Sequence, residues 1–366
     1  MKLLYVSPNA ELGGAERILE TFIKYHDRQQ FEVFVVFLRE GSLVKKWQGL
    51  GAQILKIPAF RFRNLGQLLH KQWLLRKLMN ENKINLVHST MSYGHLFAGP
   101  VALSLGIPEV WFQHGPVGKT WDQMAAMVPT KLILCNSQYT EEIQNRLSSS
   151  KTKVIYGPVE IQKPDPLSVN KLRVEFRKNF KFSMEDFICV HVARLDPWKG
   201  QENFIKAIAL AHEKNPKIKG LVVGGTDLGH VDFEQQLKTY VQEKGLQKVI
   251  QFTGHLNSVN PAFYAADIFI HTSKIPEPLG LSILEALACG IPVIAANQGG
   301  PLEILTHGEN GFLNPADDIE NLKNLILSLE EQPILQSKFK NQGLARAQEF
   351  EAKAWVKKVE DIYTGL

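Results

Sequence analysis

The sequence of 366 residues is poor in cysteine and has no long hydrophobic run. Its three cysteines, Cys135, Cys189 and Cys289, form no CxxC pair and no Cys/His spacing typical of a metal site. We therefore expect neither a disulfide framework nor a structural zinc. No apolar run approaches the roughly 18–20 residues that span a bilayer, and the start MKLLYVSP is too short for a signal region. These absences favour a cytoplasmic protein that meets a membrane only from its surface.

Acidic residues are missing from residues 41–80, a stretch that contains eight lysines and arginines. The cations are Lys45, Lys46, Lys56, Arg61, Arg63, Lys71, Arg76 and Lys77. Leucine, phenylalanine and tryptophan lie between them, and this mixture suits an anionic membrane surface or a lipid-linked ligand. A solvated basic face over an ordinary core-facing helix is the simpler alternative. Nucleic acid is not expected as a partner, because no recognition motif accompanies the charge.

The net charge of +5 is unevenly divided along the chain. Residues 1–165 carry 20 Lys and Arg against 13 Asp and Glu, whereas residues 166–366 carry 22 against 24. The basic excess therefore belongs to the N-terminal half.

The hydropathy pattern indicates two α/β domains. Apolar residues make up 44% of the chain and charged residues 22%, as in ordinary globular proteins. Short continuous apolar runs, such as Phe31–Leu38 and Phe187–Ala193, alternate with amphipathic segments, which indicates strands buried on both faces of a parallel sheet. The alternation pauses at the turn-rich stretch Lys163-Pro164-Asp165-Pro166 and then restarts. We predict doubly wound domains at residues 1–162 and 163–345, and a helical segment at residues 346–366 whose docking partner the sequence does not identify.

Two glycines follow the first predicted strand, in Leu12-Gly13-Gly14. Glycine lets the backbone approach a ligand closely, and the N-terminus of the next helix offers N–H groups to a phosphate or another polar group. A tight strand-to-helix turn without a ligand explains the same residues. The stretch lacks G-x-G-x-x-G, which argues against a dinucleotide oxidoreductase.

Two cations, Arg194 and Lys199, follow a predicted buried strand and precede a helix. A basic pair in a loop is usually solvated surface. At the carboxyl end of a strand, however, such a pair suits a diphosphate, because arginine bridges oxygens with its planar fork and lysine adds a point charge.

Two glutamates, Glu277 and Glu285, are eight residues apart in the loop and the apolar helix after another predicted strand. Glu285 could be a surface carboxylate, but its apolar neighbours indicate a buried helix, in which a carboxylate needs hydrogen-bond donors. Sugar or ribose hydroxyls are suitable donors. The N–H groups of Gly280, Leu281 and Ser282 at the helix start suit a phosphate.

These motifs, in their order along the chain, resemble those of the family 4 retaining glycosyltransferases, which have an E-x7-E motif and the GT-B fold. The similarity extends from Gly13-Gly14 through Gly290-Ile291-Pro292 to Gly299-Gly300-Pro301 and Gly308-Glu309-Asn310-Gly311. It implies two Rossmann-like domains that face each other across a cleft. The N-terminal domain would bind the acceptor, and the C-terminal domain would bind a nucleoside-diphosphate sugar.

The resemblance also implies roles for single residues. Arg194 and Lys199 would neutralise the donor diphosphate, Glu285 would bind the ribose, and Glu277 would lie near the transferred sugar. His114, in Gln113-His114-Gly115, matches the position of the family's active-site histidine, although a lone histidine is more often a structural residue. The further donor-binding positions are Gly13, Gly14, Gly224, Gly225, His255, Pro278, Leu279, Gly280, Leu281 and Ser282.

The resemblance implies transfer with retention at the anomeric carbon and no cofactor. No pair of aspartates suggests a metal site, and Asp317-Asp318 reads as a helix cap, so metal-independent catalysis is expected. The acceptor would be a glycan or lipid-linked molecule in cell-surface polysaccharide synthesis, with the enzyme peripheral on the inner face of the cell membrane. A GT-B nucleotide-sugar epimerase and a non-catalytic sugar-binding protein remain as alternatives.

Overall fold

A computed structural model describes residues 1–11, 13–115, 117–162, 165–226 and 231–366. They form two compact units: unit 1 is Met1–Pro158 with Ala352–Leu366, and unit 2 is Val159–Glu351. Leu12 of the first glycine motif and Lys163-Pro164 of the expected linker lie outside the described residues. The chain passes from unit 1 to unit 2 between residues 158 and 159, and returns to unit 1 between residues 351 and 352.

Unit 1 is built on a parallel sheet of seven strands. The strands are β1 (Lys2–Ser7), β2 (Glu32–Phe37), β3 (Gln53–Ile54), β4 (Leu86–Thr90), β5 (Glu109–Gln113), β6 (Leu132–Cys135) and β7 (Thr152–Val154), in the spatial order β3-β2-β1-β4-β5-β6-β7. The helices between them are α1 (Gly14–Tyr25), α2 (Leu43–Gly49), α3 (Leu65–Glu81), α4 (Met91–Leu105), α5 (Thr120–Ala126) and α6 (Gln138–Leu147).

Unit 2 repeats the architecture with six parallel strands. They are β8 (Phe187–Val192), β9 (Ile218–Val223), β10 (Ile250–Gly254), β11 (Ile268–His271), β12 (Val293–Ala296) and β13 (Phe312–Asn314), in the order β10-β9-β8-β11-β12-β13. Its helices are α7 (Pro166–Asn179), α8 (Gln201–Lys214), α9 (Val231–Glu243), α10 (Asn260–Ala265), α11 (Leu281–Ala288), α12 (Pro301–Ile304), α13 (Ile319–Glu331) and α14 (Pro333–Gln348). A short 3₁₀ turn covers Pro197–Lys199.

The central strands are buried along their whole length. β1 is buried except for its half-buried first residue, and every residue of β4, β5 and β8 is buried. Helices flank both faces of such a sheet, which explains why these strands are continuous apolar runs. The predicted α/β fold of two doubly wound domains is confirmed for each unit taken by itself.

The last helix, α15 (Ala352–Thr364), packs in unit 1 against α1. The Tyr363 hydroxyl lies 3.1 Å from the Tyr5 hydroxyl and hydrogen-bonds Nδ1 of His88. The Glu360 carboxylate accepts a 2.7 Å hydrogen bond from the backbone N–H of Asp27. These buried contacts identify the docking partner of the C-terminal segment. Within the ranges the structure describes, no helix has both the length and the apolar character needed to cross a bilayer.

Candidate active site

In unit 2, the residues that follow the strands meet at one edge of the sheet. Because the strands are parallel, their carboxyl ends lie together. The backbone N–H of Leu195 donates to the carbonyl of Gly225 at 2.9 Å, and that of Gly224 donates to Gly254 at 3.0 Å. The loops that carry Arg194, Gly224-Gly225 and His255 are therefore neighbours.

Gly224 allows the close approach of β8 and β9 at this edge. Its φ is +137°, and a Cβ there would lie 1.9 Å from the carbonyl oxygen of Ala193. Only glycine fits such a backbone without displacing the chain. Gly225 is adjacent, and a Cβ on it would lie 3.4 Å from Cβ of His255. His255 itself is exposed.

The loop after β8 is attached to the end of β11. Gly200 has φ +74°, and a Cβ on it would lie 1.9 Å from the carbonyl oxygen of Thr272. The Thr272 hydroxyl donates to the Gly200 carbonyl at 2.8 Å. Lys199 is thereby placed over the loop that follows β11. Arg194, at the start of the same loop, is 48% exposed and lies 3.4 Å from a carboxylate oxygen of Asp196.

The buried Glu277 and His271 form a cluster with the half-buried Lys199. Nζ of Lys199 contacts Oε1 of Glu277, and Nε2 of His271 lies 2.7 Å from Oε2 of the same carboxylate. The Ser273 hydroxyl is 3.1 Å from the same imidazole nitrogen. The sequence predicted Lys199 and Glu277 as separate site residues and did not predict His271. A polar side chain at the carboxyl end of an apolar strand, as in Ile268–His271, is the signal that could have found it.

Burial sets the protonation of this cluster. Burial, with the positive charge of Lys199 next, lowers the pKa of His271 well below its usual range, so the ring is neutral at physiological pH. A neutral ring donates one N–H, which holds the Glu277 carboxylate in place. Burial, with the charge of Arg194 next, lowers the pKa of Lys199 to about 7, and Asp196 opposes the shift. The Glu277 carboxylate in contact with Nζ favours the charged form, so Lys199 serves as the cation of this pair.

Gly299 and Gly300 pack against the backbone of the loop that carries Glu277. The N–H of Gly300 donates to the carbonyl of Glu277 at 2.8 Å, and a Cβ on Gly300 would lie 2.3 Å from Cα of Leu279. Gly299 has φ +66°. From the sequence, these glycines contributed only to the family resemblance. The structure shows that they fix the backbone that carries Glu277.

Helix α11 starts directly after this loop. Pro278, Leu279 and Gly280 are buried, and Gly280 has φ +95° as the residue that caps the helix. Leu281 and Ser282 begin the first turn of the helix and are half-buried. The first N–H groups of a helix have no partner within it, so this end can bind an anion.

Glu285 lies one turn further along α11. Burial was expected for it, but Glu285 is half-buried, while Ile283, Leu284, Ala286 and Leu287 are buried. The apolar residues pack inward, and the carboxylate occupies the side of the helix that the core does not cover. This exposure makes it accessible to a ligand.

In unit 1, the predicted glycine site is occupied by a carboxylate. Glu16 is buried in the first turn of α1 and accepts hydrogen bonds from the N–H groups of Gly13 and of its own backbone, and the Ser7 hydroxyl lies 3.3 Å away. Burial raises the pKa of Glu16. Gly13, with φ −124°, and Gly14 thus begin a helix whose N–H groups are partly satisfied by the protein itself. The sequence analysis missed Glu16.

His114 follows β5 at the carboxyl edge of the unit 1 sheet. Its ring is buried, and the ring centroid lies 3.9 Å from that of Phe112. Its backbone carbonyl accepts a 3.2 Å hydrogen bond from the side-chain amide of Asn136. Neither ring nitrogen has a hydrogen-bond partner among the described residues. Burial lowers the pKa of His114 to about 3, so the imidazole is neutral and can accept one hydrogen bond and donate another.

Asp318 caps α13, because its carboxylate accepts from the N–H of Asn321 at 2.9 Å. This confirms the cap predicted in Asp317-Asp318. Among the residues that the structure describes, no group of three or more His, Cys, Asp or Glu side chains is placed to hold a metal ion.

Two family models match the chain. The model for glycosyl transferases group 1 matches residues 173–346, and the model for glycosyltransferase family 4 matches residues 12–163. The chain is 24% identical to the UDP-Gal:alpha-D-GlcNAc-diphosphoundecaprenol alpha-1,3-galactosyltransferase of Escherichia coli, over 100% of this chain and 97% of that protein. It is 28% identical to the Bacillus subtilis (strain 168) protein EpsD, named as a glycosyltransferase, over 69% of this chain and 64% of EpsD.

The structural likeness extends over the whole chain. A crystal structure of Anabaena Alr3699/HepE in complex with UDP has a TM-score of 0.88 and 26% identity, and the match covers 100% of both chains. The same protein has been solved with UDP-glucose. With both family models, the glycosyltransferase relatives and this shared architecture in agreement, the chain belongs to the family 4 glycosyltransferases of GT-B fold.

Proposed function

We propose that this enzyme transfers a sugar from a nucleoside-diphosphate sugar to a glycan or lipid-linked acceptor, with retention at the anomeric carbon. The observation that carries the proposal is the Lys199–Glu277–His271 cluster beside Arg194. It combines cations suited to a diphosphate with a held carboxylate suited to sugar hydroxyls. The UDP complexes of HepE and the UDP-galactose named for the Escherichia coli relative make UDP-sugars the first donors to test.

In the proposed reaction the C1–O bond of the donor breaks, and its electron pair leaves with the diphosphate. The acceptor hydroxyl forms the new bond to C1 on the face that the diphosphate leaves, and its proton passes to the departing phosphate oxygen. Arg194, Lys199 and the N-terminus of α11 would stabilise the developing negative charge. Glu277 would bind the sugar, Glu285 the ribose, and Gly224, Gly225 and His255 the base.

No metal or cofactor enters this proposal, because two cations and a helix N-terminus supply the positive charge. His114, neutral in its buried position, would hydrogen-bond a sugar hydroxyl. Gly13 and Gly14 stay predictions as ligand contacts, since Glu16 already uses the N–H of Gly13.

We further propose that the acceptor belongs to cell-surface polysaccharide synthesis and that the enzyme works on the inner face of the cell membrane. The diphosphoundecaprenol named for the Escherichia coli relative is a lipid-linked acceptor. The acid-free basic stretch at residues 41–80 supports the same location.

A panel of nucleoside diphosphates and UDP-sugars in a thermal-shift assay tests the donor, because a specific ligand raises the melting temperature by mass action. The stabilising donor is then incubated with excess chelator, and release of nucleoside diphosphate is measured. We expect release without added metal, and a strict Mn²⁺ or Mg²⁺ requirement would contradict metal independence. Formation of the donor's epimer would favour an epimerase, and binding without release would favour a sugar-binding protein.

A further inference from the structure

Helix α3 in unit 1 carries an apolar stripe on its solvent side. Leu65, Leu69 and Trp73 are 67%, 57% and 58% exposed. Their spacing of four residues places them on one face of the helix. Soluble proteins rarely align several large exposed apolar residues, and such a stripe marks an interaction site.

The stripe belongs to a helix that is fixed to the rest of unit 1. Leu75 and Met79, on another side of α3, are fully buried in the core with Phe97. The Gln72 amide donates to the carbonyls of Leu96 and Phe97 at 3.3 and 3.1 Å, which ties α3 to α4. The core is therefore formed without the three exposed side chains, and their exposure is a stable feature of the surface.

Cations surround the stripe. Arg61 and Arg63 are exposed just before α3, and Arg76 and Lys77 are exposed one turn after Trp73. Arg76 donates to the Ser104 hydroxyl at 2.7 Å, so its charge is held against α4. No aspartate or glutamate lies between residues 41 and 80.

We propose that this surface docks the enzyme on an anionic lipid bilayer. We call it the α3 face and define it by Leu65, Leu69 and Trp73 with Arg61, Arg63, Arg76 and Lys77. The apolar side chains would enter the interfacial region of the bilayer, and the cations would pair with anionic headgroups. A second copy of the chain is a poorer occupant, because it would bring Arg61, Arg63 and Arg76 against the same three arginines, and the neighbouring Glu81 is already paired with Lys77 at 3.7 Å. This inference rests on the proposed function for the identity of its lipid partner.

The α3 face begins at the edge of unit 1 that carries His114. In a parallel α/β sheet the helix that follows a strand starts at the strand's carboxyl end, and Leu65 starts the helix after β3. At the same edge, the Phe62 ring packs against Tyr93 and Trp121 with centroid distances of 5.3 and 5.7 Å. Docking through the α3 face would therefore bring the predicted acceptor side of unit 1 to the lipid.

Vesicle sedimentation of the full chain tests the proposal, with vesicles of phosphatidylcholine alone and with 30% phosphatidylglycerol as stated compositions. We expect binding to the anionic vesicles only, weakened by high salt. The variant Leu65→Ser/Leu69→Ser/Trp73→Ser should lose at least tenfold in vesicle affinity. Arg61→Gln/Arg63→Gln/Lys77→Gln should lose about fivefold for each cation removed, corresponding to about 1 kcal/mol each.

Matched controls come from equally exposed side chains elsewhere. Leu167→Ser/Ile334→Ser removes apolar side chains that are 80% and 88% exposed in unit 2, and Lys151→Gln/Lys153→Gln removes exposed cations of unit 1 outside the stretch. Both should bind vesicles like the parent. UDP affinity of every variant should be unchanged, so failure of lipid docking and failure of donor binding are separate readouts.

The proposal is overturned if the intact chain does not bind anionic vesicles, or if the triple serine variant binds them as well as the parent does. It is also overturned if sedimentation velocity shows that the α3 face holds a dimer that the serine variant dissociates. Protection of Trp73 from iodide quenching by anionic vesicles, judged against Trp73→Phe, would place this residue at the lipid.

Discussion

The carboxyl edges of the two sheets are built in opposite ways. In unit 2, Lys199, Glu277 and His271 contact one another, and glycines at positions 200, 224 and 300 hold the loops that carry them. In unit 1, His114 has no partner for either ring nitrogen among the described residues. A charged cluster with its partners in place is ready for a charged ligand, whereas a neutral, unpartnered imidazole is suited to hydroxyl groups. The difference supports the proposal that unit 2 recognises the charged part of the donor.

Removing Lys199 should have the largest effect if unit 2 binds the diphosphate. We expect Lys199→Ala to lower kcat/KM about 10²- to 10³-fold, as for the loss of one group that stabilises transition-state charge. Steady-state release of nucleoside diphosphate measures it. Lys274→Ala is the control, because Lys274, in the loop after β11, pairs with Glu202 of α8 at 3.0 Å and the variant should retain activity.

Lys199→Ala also leaves the buried Glu277 carboxylate without its cation, which can destabilise unit 2 by itself. The double variant Lys199→Ala/Glu277→Gln removes both charges and should recover stability without recovering activity. Activity of Lys199→Ala within fivefold of the parent would place the diphosphate elsewhere and remove the contrast between the two edges.

His114 should contribute to the pH dependence of stability, alongside His88, His191 and His271, whose pKa values burial also lowers. The pKa of His114 is lowered to about 3 in the folded protein, whereas an unfolded histidine titrates near 6.5. Below pH 6.5 the unfolded chain therefore binds a proton that the folded chain refuses. Stability should fall with decreasing pH between about 6.5 and 3, by about 1.4 kcal/mol per pH unit from this residue.

The variant His114→Gln should reduce the measured slope by the contribution of one histidine, and urea unfolding monitored at pH 4.5, 5.5 and 7 measures the reduction. His255→Gln, which alters an exposed histidine, should leave the slope as it is in the parent. An unchanged slope in His114→Gln would mean that the His114 ring is solvated and therefore not the counterpart of the unit 2 cluster.

Disturbing the glycines that support the Glu277 loop should have a moderate effect on stability and turnover. A Cβ on Gly300 would lie 2.3 Å from Cα of Leu279, so Gly300→Ala must shift the backbone. We expect a loss of about 1–3 kcal/mol and a lower kcat, measured by thermal unfolding and by turnover. Gly49→Ala is the matched control, since a Cβ there would meet nothing within 4 Å. Equal melting temperatures for the two variants would show that the loop adapts freely.

Much of the fold could be predicted because it depends on strand burial. The runs at Phe31–Leu38 and Phe187–Ala193 predict strands that the structure confirms within one residue at each end. Short edge strands such as β7 and β13 were missed, because three residues carry too little periodicity. Helix α7 was missed because Pro166 looked like part of a linker, whereas proline in the first turn is compatible with a helix.

The site was predictable in its charged motifs and less so in its contacts. Lys199 and Glu277 are distant in sequence, and their pairing depends on how the loops after β8 and β11 are joined through Gly200 and Thr272. His271 and Glu16 were missed because each is a single polar residue beside an apolar element. A local pattern can indicate such a residue, but its partners depend on tertiary proximity, which the local pattern does not specify.

Substituting Glu16 should have the smallest effect of the four changes. It also tests the contrast between the two sheet edges directly. The Glu16 carboxylate already accepts the N–H of Gly13, so a donor phosphate has little room at the start of α1. We expect Glu16→Gln to change UDP affinity less than threefold in calorimetric titration and to alter stability by only about 0.3–1 kcal/mol, the value of a charge near a helix N-terminus. Glu20→Gln, on the same helix and paired with Lys46, serves as the control. A tenfold gain in UDP affinity for Glu16→Gln alone would show that the phosphate reaches Gly13 and Gly14, and charge recognition would then be shared by both units.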